Sequence, residues 1–269
     1  MRVPWLDTAD IYGDGEVETL IGEVFHGAPE PRIVTKLGYE QERGRAQCFA
    51  PGTFARRLAG SLARLRRDRV DVLLLHSPPP EVLADRAVRA ALADLRSTRL
   101  TGAIGVSLAS VHHYPVLGDW RDLDSIELIY NLLDQRAAEF GYLEDARQRG
   151  RQIIARMPLC SGFLARRGLR REDFAAEDTR RRWSDAQITA WTAAAERFGF
   201  LADDARSMAQ AAIAFCCASP GVSLVIPGAK SPAQLAACLA AGEDACAMSA
   251  EDHQRARALW PAIADVVPA

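Results

Sequence analysis

The residues with the most chemical potential in this chain stand just past short apolar runs. Asp7 follows Trp5-Leu6, Lys36 follows Ile33-Val34-Thr35, His76 follows the unbroken Val72-Leu73-Leu74-Leu75, and Ser107 follows Ile104-Gly105-Val106. Tyr12 comes five residues after Asp7. These residue types suit proton transfer at a carbonyl. A phenol with a pKa of about 10 is a poor donor at neutral pH unless its neighbours tune it. An ammonium such as Lys36 favours the phenolate, and a carboxylate such as Asp7 keeps that lysine charged and oriented. A histidine such as His76 can donate a hydrogen bond that positions the substrate oxygen. Taken singly, an Asp or Lys at a strand end reads as half of a surface ion pair, and His76 as a satisfied core histidine. Together, at the ends of three consecutive expected strands, they read as a site.

The elements that must position them alternate between two patterns. Seven short β-branched or leucine-rich runs predict strands: Val3 to Leu6, Arg32 to Thr35, Val70 to Leu75, Gly102 to Val106, Ser125 to Ile129, Gln152 to Ala155 and Ser223 to Ile226. Amphipathic stretches between them predict helices over Val17 to Phe25, from Phe54 through Leu65, and over Glu81 to Leu95, Gln135 to Arg149, Ala186 to Ala218, Pro232 to Ala241 and Ala250 to Ile263. Near-continuous apolar strands alternating with helices are the mark of βα units feeding a parallel sheet. Such barrels carry their chemistry at the C-terminal strand ends, where the polar residues above fall. Leu164 to Trp183, crowded with Arg, Asp and Glu, interrupts the alternation and reads as a long solvated loop, with a substrate-covering loop as the alternative.

Composition narrows the function classes. A chain of 269 residues, 49% hydrophobic and 25% charged, can bury a large core and fits one α/β barrel domain over residues 1–269. Its 33 basic and 35 acidic residues mix evenly to a net charge of −2, which favours neither nucleic acid nor an anionic membrane and points to a small-molecule partner. The six cysteines show no CxxC pair and no metal-ligand spacing, as expected of reduced structural thiols and no metal site. The first residues lack signal-peptide architecture, and no apolar run approaches the roughly 18 residues a membrane span needs, so a soluble cytoplasmic protein is expected.

Asp7-Thr8-Ala9-Asp10-Ile11-Tyr12-Gly13, followed by Gly15-Glu16-Val17-Glu18-Thr19-Leu20-Ile21-Gly22, resembles the aldo-keto reductase signature after the second barrel strand. Val34-Thr35-Lys36, Leu74-Leu75-His76-Ser77, Gly105-Val106-Ser107, Tyr130-Asn131-Leu132-Leu133, Arg156-Met157-Pro158-Leu159 with Gly162, and Val225-Ile226-Pro227-Gly228-Ala229-Lys230 resemble further family segments in the right order. The resemblance implies an α/β fold, a TIM-type (β/α)8-like barrel, and NADPH-dependent reduction of an aldehyde or ketone. Tyr12 would be the general acid, tuned by Asp7 and Lys36, with His76 orienting the substrate. For NADP(H), it implies Ser107 and Arg156 beside the nicotinamide, with Leu159 in the same matched segment. Gly228 and Lys230 would lie toward the 2′-phosphate, and Gln234 on the helix that follows. The family holds its nucleotide without a GxGxxG fingerprint.

The pattern departs from the family in two respects. The family barrel has a hairpin and one complete βα unit, about thirty residues, before the strand that ends in the catalytic aspartate, whereas here that aspartate is residue 7. An unpaired barrel edge would favour a partner subunit, and a homodimer is the expectation if the chain starts at Met1. Leu108 stands where the family has Asn, Glu127 where it has Gln, and Cys238 where Asn follows the Gln234 region. Leu108 makes no hydrogen bond to a carboxamide, and an ionised Glu127 accepts but cannot donate. A second reading therefore stands beside the reductase: a cofactor-independent acid–base enzyme performing elimination, cyclisation or isomerisation on the same scaffold. A non-enzymatic binding or subunit protein is the third.

Overall fold

The computed structural model describes residues 3–40, 44, 46–243 and 246–266; Met1 and Arg2, where the N-terminal reading began, lie outside them. The chain divides into two compact units, one covering residues up to Leu128 together with Arg147–Ile153, the other Ile129–Ala146 with Ile154 onward.

In the first unit every expected strand forms: β1 (Trp5–Asp7), β2 (Arg32–Leu37), β5 (Val70–His76), β6 (Thr101–Ser107) and β7 (Ser125–Ile129). They lie in parallel in that order, and β8 (Gln152–Arg156) and β9 (Val222–Ile226) complete the order of the seven-stranded sheet. Register decides which side chains share a face. Asp7 pairs with Val34 and Val34 with Val72, Lys36 with Leu74 and Leu74 with Gly105, and His76 with Ser107 and Ser107 with Glu127. Laterally paired residues of parallel strands point the same way, and the strand period is two. Asp7, Lys36, His76, Ser107 and Glu127 therefore stand on one face, while Ile33, Leu73, Leu75, Ile104, Val106, Ile126 and Leu128, all at most 1% exposed, fill the other. Burying each such side chain contributes on the order of 1.5–3 kcal/mol.

Helices alternate with these strands. α1 (Glu16–Val24) packs on α2 (Phe54–Leu65) so closely that a Cβ on Gly22 would sit 2.2 Å from the Arg64 carbonyl oxygen. Glu18, fully buried on α1, accepts from Thr35 Oγ1 at 2.6 Å and from Arg64 Nε at 2.8 Å, tying both helices to β2. The helix expected over Glu81 to Leu95 is two, α3 (Pro80–Ala84) and α4 (Arg86–Ser97). Asp85, extended at ψ 117, caps α4 by accepting from the Ala87 N–H. A hairpin that the sequence did not suggest, β3 (Tyr39–Glu40) with β4 (Ala46–Gln47), follows β2.

The second unit holds the end of β8, β9 and the C-terminal helices. The Gln135 to Arg149 helix is broken into α5 (Arg136–Glu139) and α6 (Tyr142–Gln148) at Gly141, whose φ of 74 a glycine reaches without strain. The long Ala186 to Ala218 helix divides into α7 (Asp185–Glu196) and α8 (Met208–Ala218), the latter opened by a capping box between Ser207 and Gln210. α9 (Pro232–Ala240) and α10 (Ala250–Leu259) follow. Tyr130 stacks on Phe215 and its hydroxyl lies 2.9 Å from Ser219 Oγ, which in turn lies 2.9 Å from His253 Nε2. The stretch from Leu164 to Trp183 forms neither long helix nor strand and is mostly exposed, as expected of a solvated loop, but a few contacts pin it. Leu164, Leu169 and Phe174 are buried, Trp183 meets Trp191 edge-on at 4.6 Å, and Arg171 donates to Asp185 and to the carbonyls of Arg181 and Trp183. Among the described residues no helix is long and apolar enough to cross a membrane.

Candidate active site

The chain leaving β1 stays against β2, because Thr8 N donates to the Val34 carbonyl at 2.9 Å and Asp10 N to the Lys36 carbonyl at 3.1 Å. It then closes a tight 3-10 turn, Tyr12–Gly15, in which Gly13, Asp14 and Gly15 all have positive φ. Gly15 is needed twice: its φ is 91, and a Cβ there would meet Arg64 Cδ at 2.9 Å. Arg57, from α2, anchors this turn from behind. Its Nη2 donates to Asp10 Oδ2 at 2.5 Å and to the Tyr39 carbonyl at 2.7 Å, and its Nη1 to the Cys48 carbonyl at 3.0 Å. One guanidinium thus joins the turn carrying Tyr12 to the β3 hairpin. Burial, opposed by Arg57, raises the Asp10 carboxyl above its ordinary value.

Lys36 is the centre of the cluster. Only 1% exposed, its ammonium donates to Asp7 Oδ1 and Oδ2, each at 2.5 Å, and to the Thr8 carbonyl at 3.2 Å. Glu127 Oε2 lies 3.3 Å from the same nitrogen, and the Tyr12 ring centroid lies 5.7 Å from it. Tyr12 is 39% exposed. The His76 ring stands edge-on to Tyr12 at 5.7 Å and to Tyr39 at 5.0 Å. Ser107 Oγ donates to Glu127 Oε1 at 2.7 Å, and Leu108 N to the Glu127 carbonyl at 2.8 Å.

The electrostatics follow from two carboxylates and one ammonium in a buried place. Burial is the largest influence on Asp7 and the Glu127 charge adds to it; together they outweigh Lys36 and push the Asp7 carboxyl up to about 7. Burial works against the Lys36 charge, but Glu127, Asp7 and the Tyr12 phenol outweigh it and hold the ammonium above its ordinary value. Lys36 stays charged at neutral pH.

The first unit therefore brings together Asp7, Tyr12, Lys36, His76 and Ser107. Arg156, Leu159, Gly228, Lys230 and Gln234 belong to the second. There Arg156 closes β8, and Leu159 precedes a 3-10 turn, its carbonyl accepting from Gly162 N at 2.9 Å. Gly228 and Lys230 are exposed after β9, and Lys230 N donates to Gln234 Oε1 at 2.8 Å in the first turn of α9. Sequence reasoning missed three participants. Glu127 was read as a lost cofactor contact, yet its carboxylate is on Lys36. Arg57 and Tyr39 were not singled out at all. The signal for Glu127 was present in the alternation of Ser125 and Glu127 on β7, but the register with β6 was not. Nothing in the sequence marks Arg57 apart from the other arginines of α2.

A parallel α/β sheet with polar side chains at its strand ends is the arrangement of the (β/α)-barrel class. The model of the aldo/keto reductase family matches residues 2–261, and the chain belongs to that family of oxidoreductases. Among its relatives, the NADH-specific methylglyoxal reductase of Escherichia coli is 30% identical over 174 residues, which cover 59% of this chain and 53% of that protein. The aldo-keto reductase YhdN of Bacillus subtilis is 26% identical over 243 residues, 86% of this chain and 72% of that protein. Among solved structures, the glycerol dehydrogenase AKR11B4 of Gluconobacter oxydans superposes with a TM-score of 0.80 at 22% identity, covering 99% of this chain and 83% of that one. The aldo/keto reductase of Klebsiella pneumoniae in complex with NADP and acetate gives 0.67 at 25% identity, covering 96% and 81%. The fold class expected from the strand–helix alternation is the one these likenesses show.

Proposed function

We propose that this chain reduces the carbonyl of a small aldehyde or ketone with NADPH, Tyr12 serving as general acid. One observation carries the reading: the buried Lys36 ammonium is held by Asp7 beside the ring of Tyr12, which is partly exposed. In this role Lys36 stabilises negative charge on the phenol oxygen as the proton leaves, and Asp7 fixes the lysine in place. His76, packed edge-on against Tyr12, orients the carbonyl oxygen.

The fit to a nicotinamide nucleotide differs between its ends. An exposed Lys230 beside Gly228, where a Cβ would meet nothing within 4 Å, suits a phosphate, with Gln234 on the adjoining helix. The relative bound to NADP supports the same cofactor here. Ser107, Arg156 and Leu159 would hold the nicotinamide end. When bound, NADPH supplies hydride to the carbonyl carbon; the chain's part is to deliver the proton from the Tyr12 hydroxyl to the carbonyl oxygen. The reading extends to a cytoplasmic enzyme that self-associates as a homodimer.

A specific observation also favours the second reading, cofactor-independent acid–base chemistry at a carbonyl. Ser107 Oγ is already donated to Glu127, and the neighbouring Leu108 is apolar and 1% exposed, so recognition of a carboxamide is weaker at this end. Titration of the purified chain with NADPH, followed by fluorescence and by melting temperature, separates the two. Micromolar binding with thermal stabilisation supports the reductase. No binding at millimolar cofactor, by a folded protein, selects the second.

A further inference from the structure

The second unit holds a cleft of about 210 Å³ between α6, the chain leaving α8, and α10, lined by none of the residues around Lys36. Its walls are tied together. Trp260 Nε1 donates to Glu139 Oε2 at 2.9 Å and Gln135 Nε2 to the Ala256 carbonyl at 3.4 Å, which holds α10 against α5. The turn after Pro220 presses on α6, since a Cβ on Gly221 would lie 2.4 Å from the Leu143 carbonyl oxygen. The neutral polar groups are ordered as well. Ser219 Oγ donates to the Phe215 carbonyl at 2.9 Å, so it accepts from the Tyr130 hydroxyl and from His253 Nε2, each 2.9 Å away. Arg257, which lines the same cleft, is the group left without a match. Among the described residues no carboxylate lies within ion-pair distance of it, and its Nη1 is buried without a hydrogen-bond partner, whereas Arg57, Arg64 and Arg136 each hold a carboxylate. Glu144 also lines the cleft, but its contacts are with residues other than Arg257. A half-buried guanidinium without a counter-ion is costly.

We propose that this cleft is a second ligand site, which takes a small carboxylate with a short hydrocarbon chain: the carboxylate meets the Arg257 guanidinium, and the chain lies against Ala138, Leu143 and Pro220. The volume sets the size, because it falls below the roughly 300–1,000 Å³ of sites for drug-sized ligands. The charge sets the head group. Burial, and after it the Arg257 charge, lower His253, while burial raises Tyr130 against the Ser219 hydrogen bond, so both are neutral at neutral pH. One guanidinium amid neutral groups balances the single charge of a carboxylate and not the nearly double charge of a phosphate monoester. The forked N–H groups of arginine match the two carboxylate oxygens. The site is separate from carbonyl reduction and needs neither Tyr12 nor a nucleotide.

The test is a titration of the intact chain with butyrate at neutral pH, followed by the ring resonances of His253 in NMR spectra and by melting temperature. Wild type should show a saturable His253 shift at millimolar butyrate, together with thermal stabilisation. Arg257→Gln should weaken binding by about tenfold or more. Ala138→Leu narrows the cleft with every charge in place and should weaken it too, which decides the matter if the arginine variant does not fold; circular dichroism checks both. Carboxylate reaching the Lys36 cluster is told apart by the His76 resonances, and Tyr12→Phe should leave the His253 titration as it is. The neutral butyramide should not bind, and inorganic phosphate should bind less tightly than butyrate. No saturable His253 shift, equal affinity in a folded Arg257→Gln or Ala138→Leu, butyramide binding as well as butyrate, or phosphate binding more tightly would each overturn the proposal. Because NADPH takes no part, these outcomes are independent of the reductase reading, which the NADPH titration decides.

Discussion

Replacing Arg64 with methionine should destabilise the fold more than replacing its partner Glu18 with glutamine. Glu18 is fully buried and accepts from Thr35 Oγ1 at 2.6 Å and from Arg64 at 2.8 and 2.7 Å, whereas the Arg64 side chain is 34% exposed. The asymmetry fixes the magnitudes. Arg64→Met strands a carboxylate with the Thr35 hydroxyl and no counter-ion, and breaking a buried pair in this way costs about 3–5 kcal/mol. Glu18→Gln keeps an oxygen for Thr35 and leaves a guanidinium that can turn to water, so its cost is nearer ~1–2 kcal/mol. Urea denaturation of both variants at neutral pH measures both losses. Equal losses would refute the claim that α1 and α2 are joined through a buried charge.

Three further expectations follow from the same geometry. Gly22→Ala gains about 1 kcal/mol of helix propensity, but the added Cβ would lie 2.2 Å from the Arg64 carbonyl. Overpacking against backbone costs about 1–3 kcal/mol or more, so a lower melting temperature is expected and a higher one would contradict the close approach. Asp7 moves from 3.8 to about 7 on folding. The folded chain thus keeps a proton that the unfolded chain releases, and this contribution to stability is full below about pH 4 and lost as pH rises to about 7. The melting temperature of Asp7→Asn should therefore decline less across that window than that of wild type. Lys230→Ala should weaken NADPH more than NADH in a binding titration, and equal weakening would remove Lys230 from the 2′-phosphate.

Much of this was legible in the residues. Four polar side chains placed just after apolar runs located the cluster, because parallel strands bury their length and expose their ends. Strand boundaries held to within two residues, since Val72 through Leu75 and Ile104 through Val106 admit little else. The β3–β4 hairpin escaped because two-residue strands have no period to read. The breaks at Asp85 and Gly141 escaped because helical periodicity on both sides hides a cap within it. Glu127 shows the deeper limit. Its identity and parity were plain, but its place beside Lys36 depends on the register His76–Ser107–Glu127 across three strands, which is set by hydrogen bonds between segments far apart in sequence.

The most direct test of the account is NADPH consumption with a panel of small aldehydes and ketones, comparing wild type with Tyr12→Phe after both are shown to bind NADPH and to melt alike. Only a hydroxyl is removed, so the account expects wild type to turn over at least one carbonyl and Tyr12→Phe to lose roughly 10²-fold or more of that rate. Equal rates in the two proteins would contradict the assignment of Tyr12 as the proton donor.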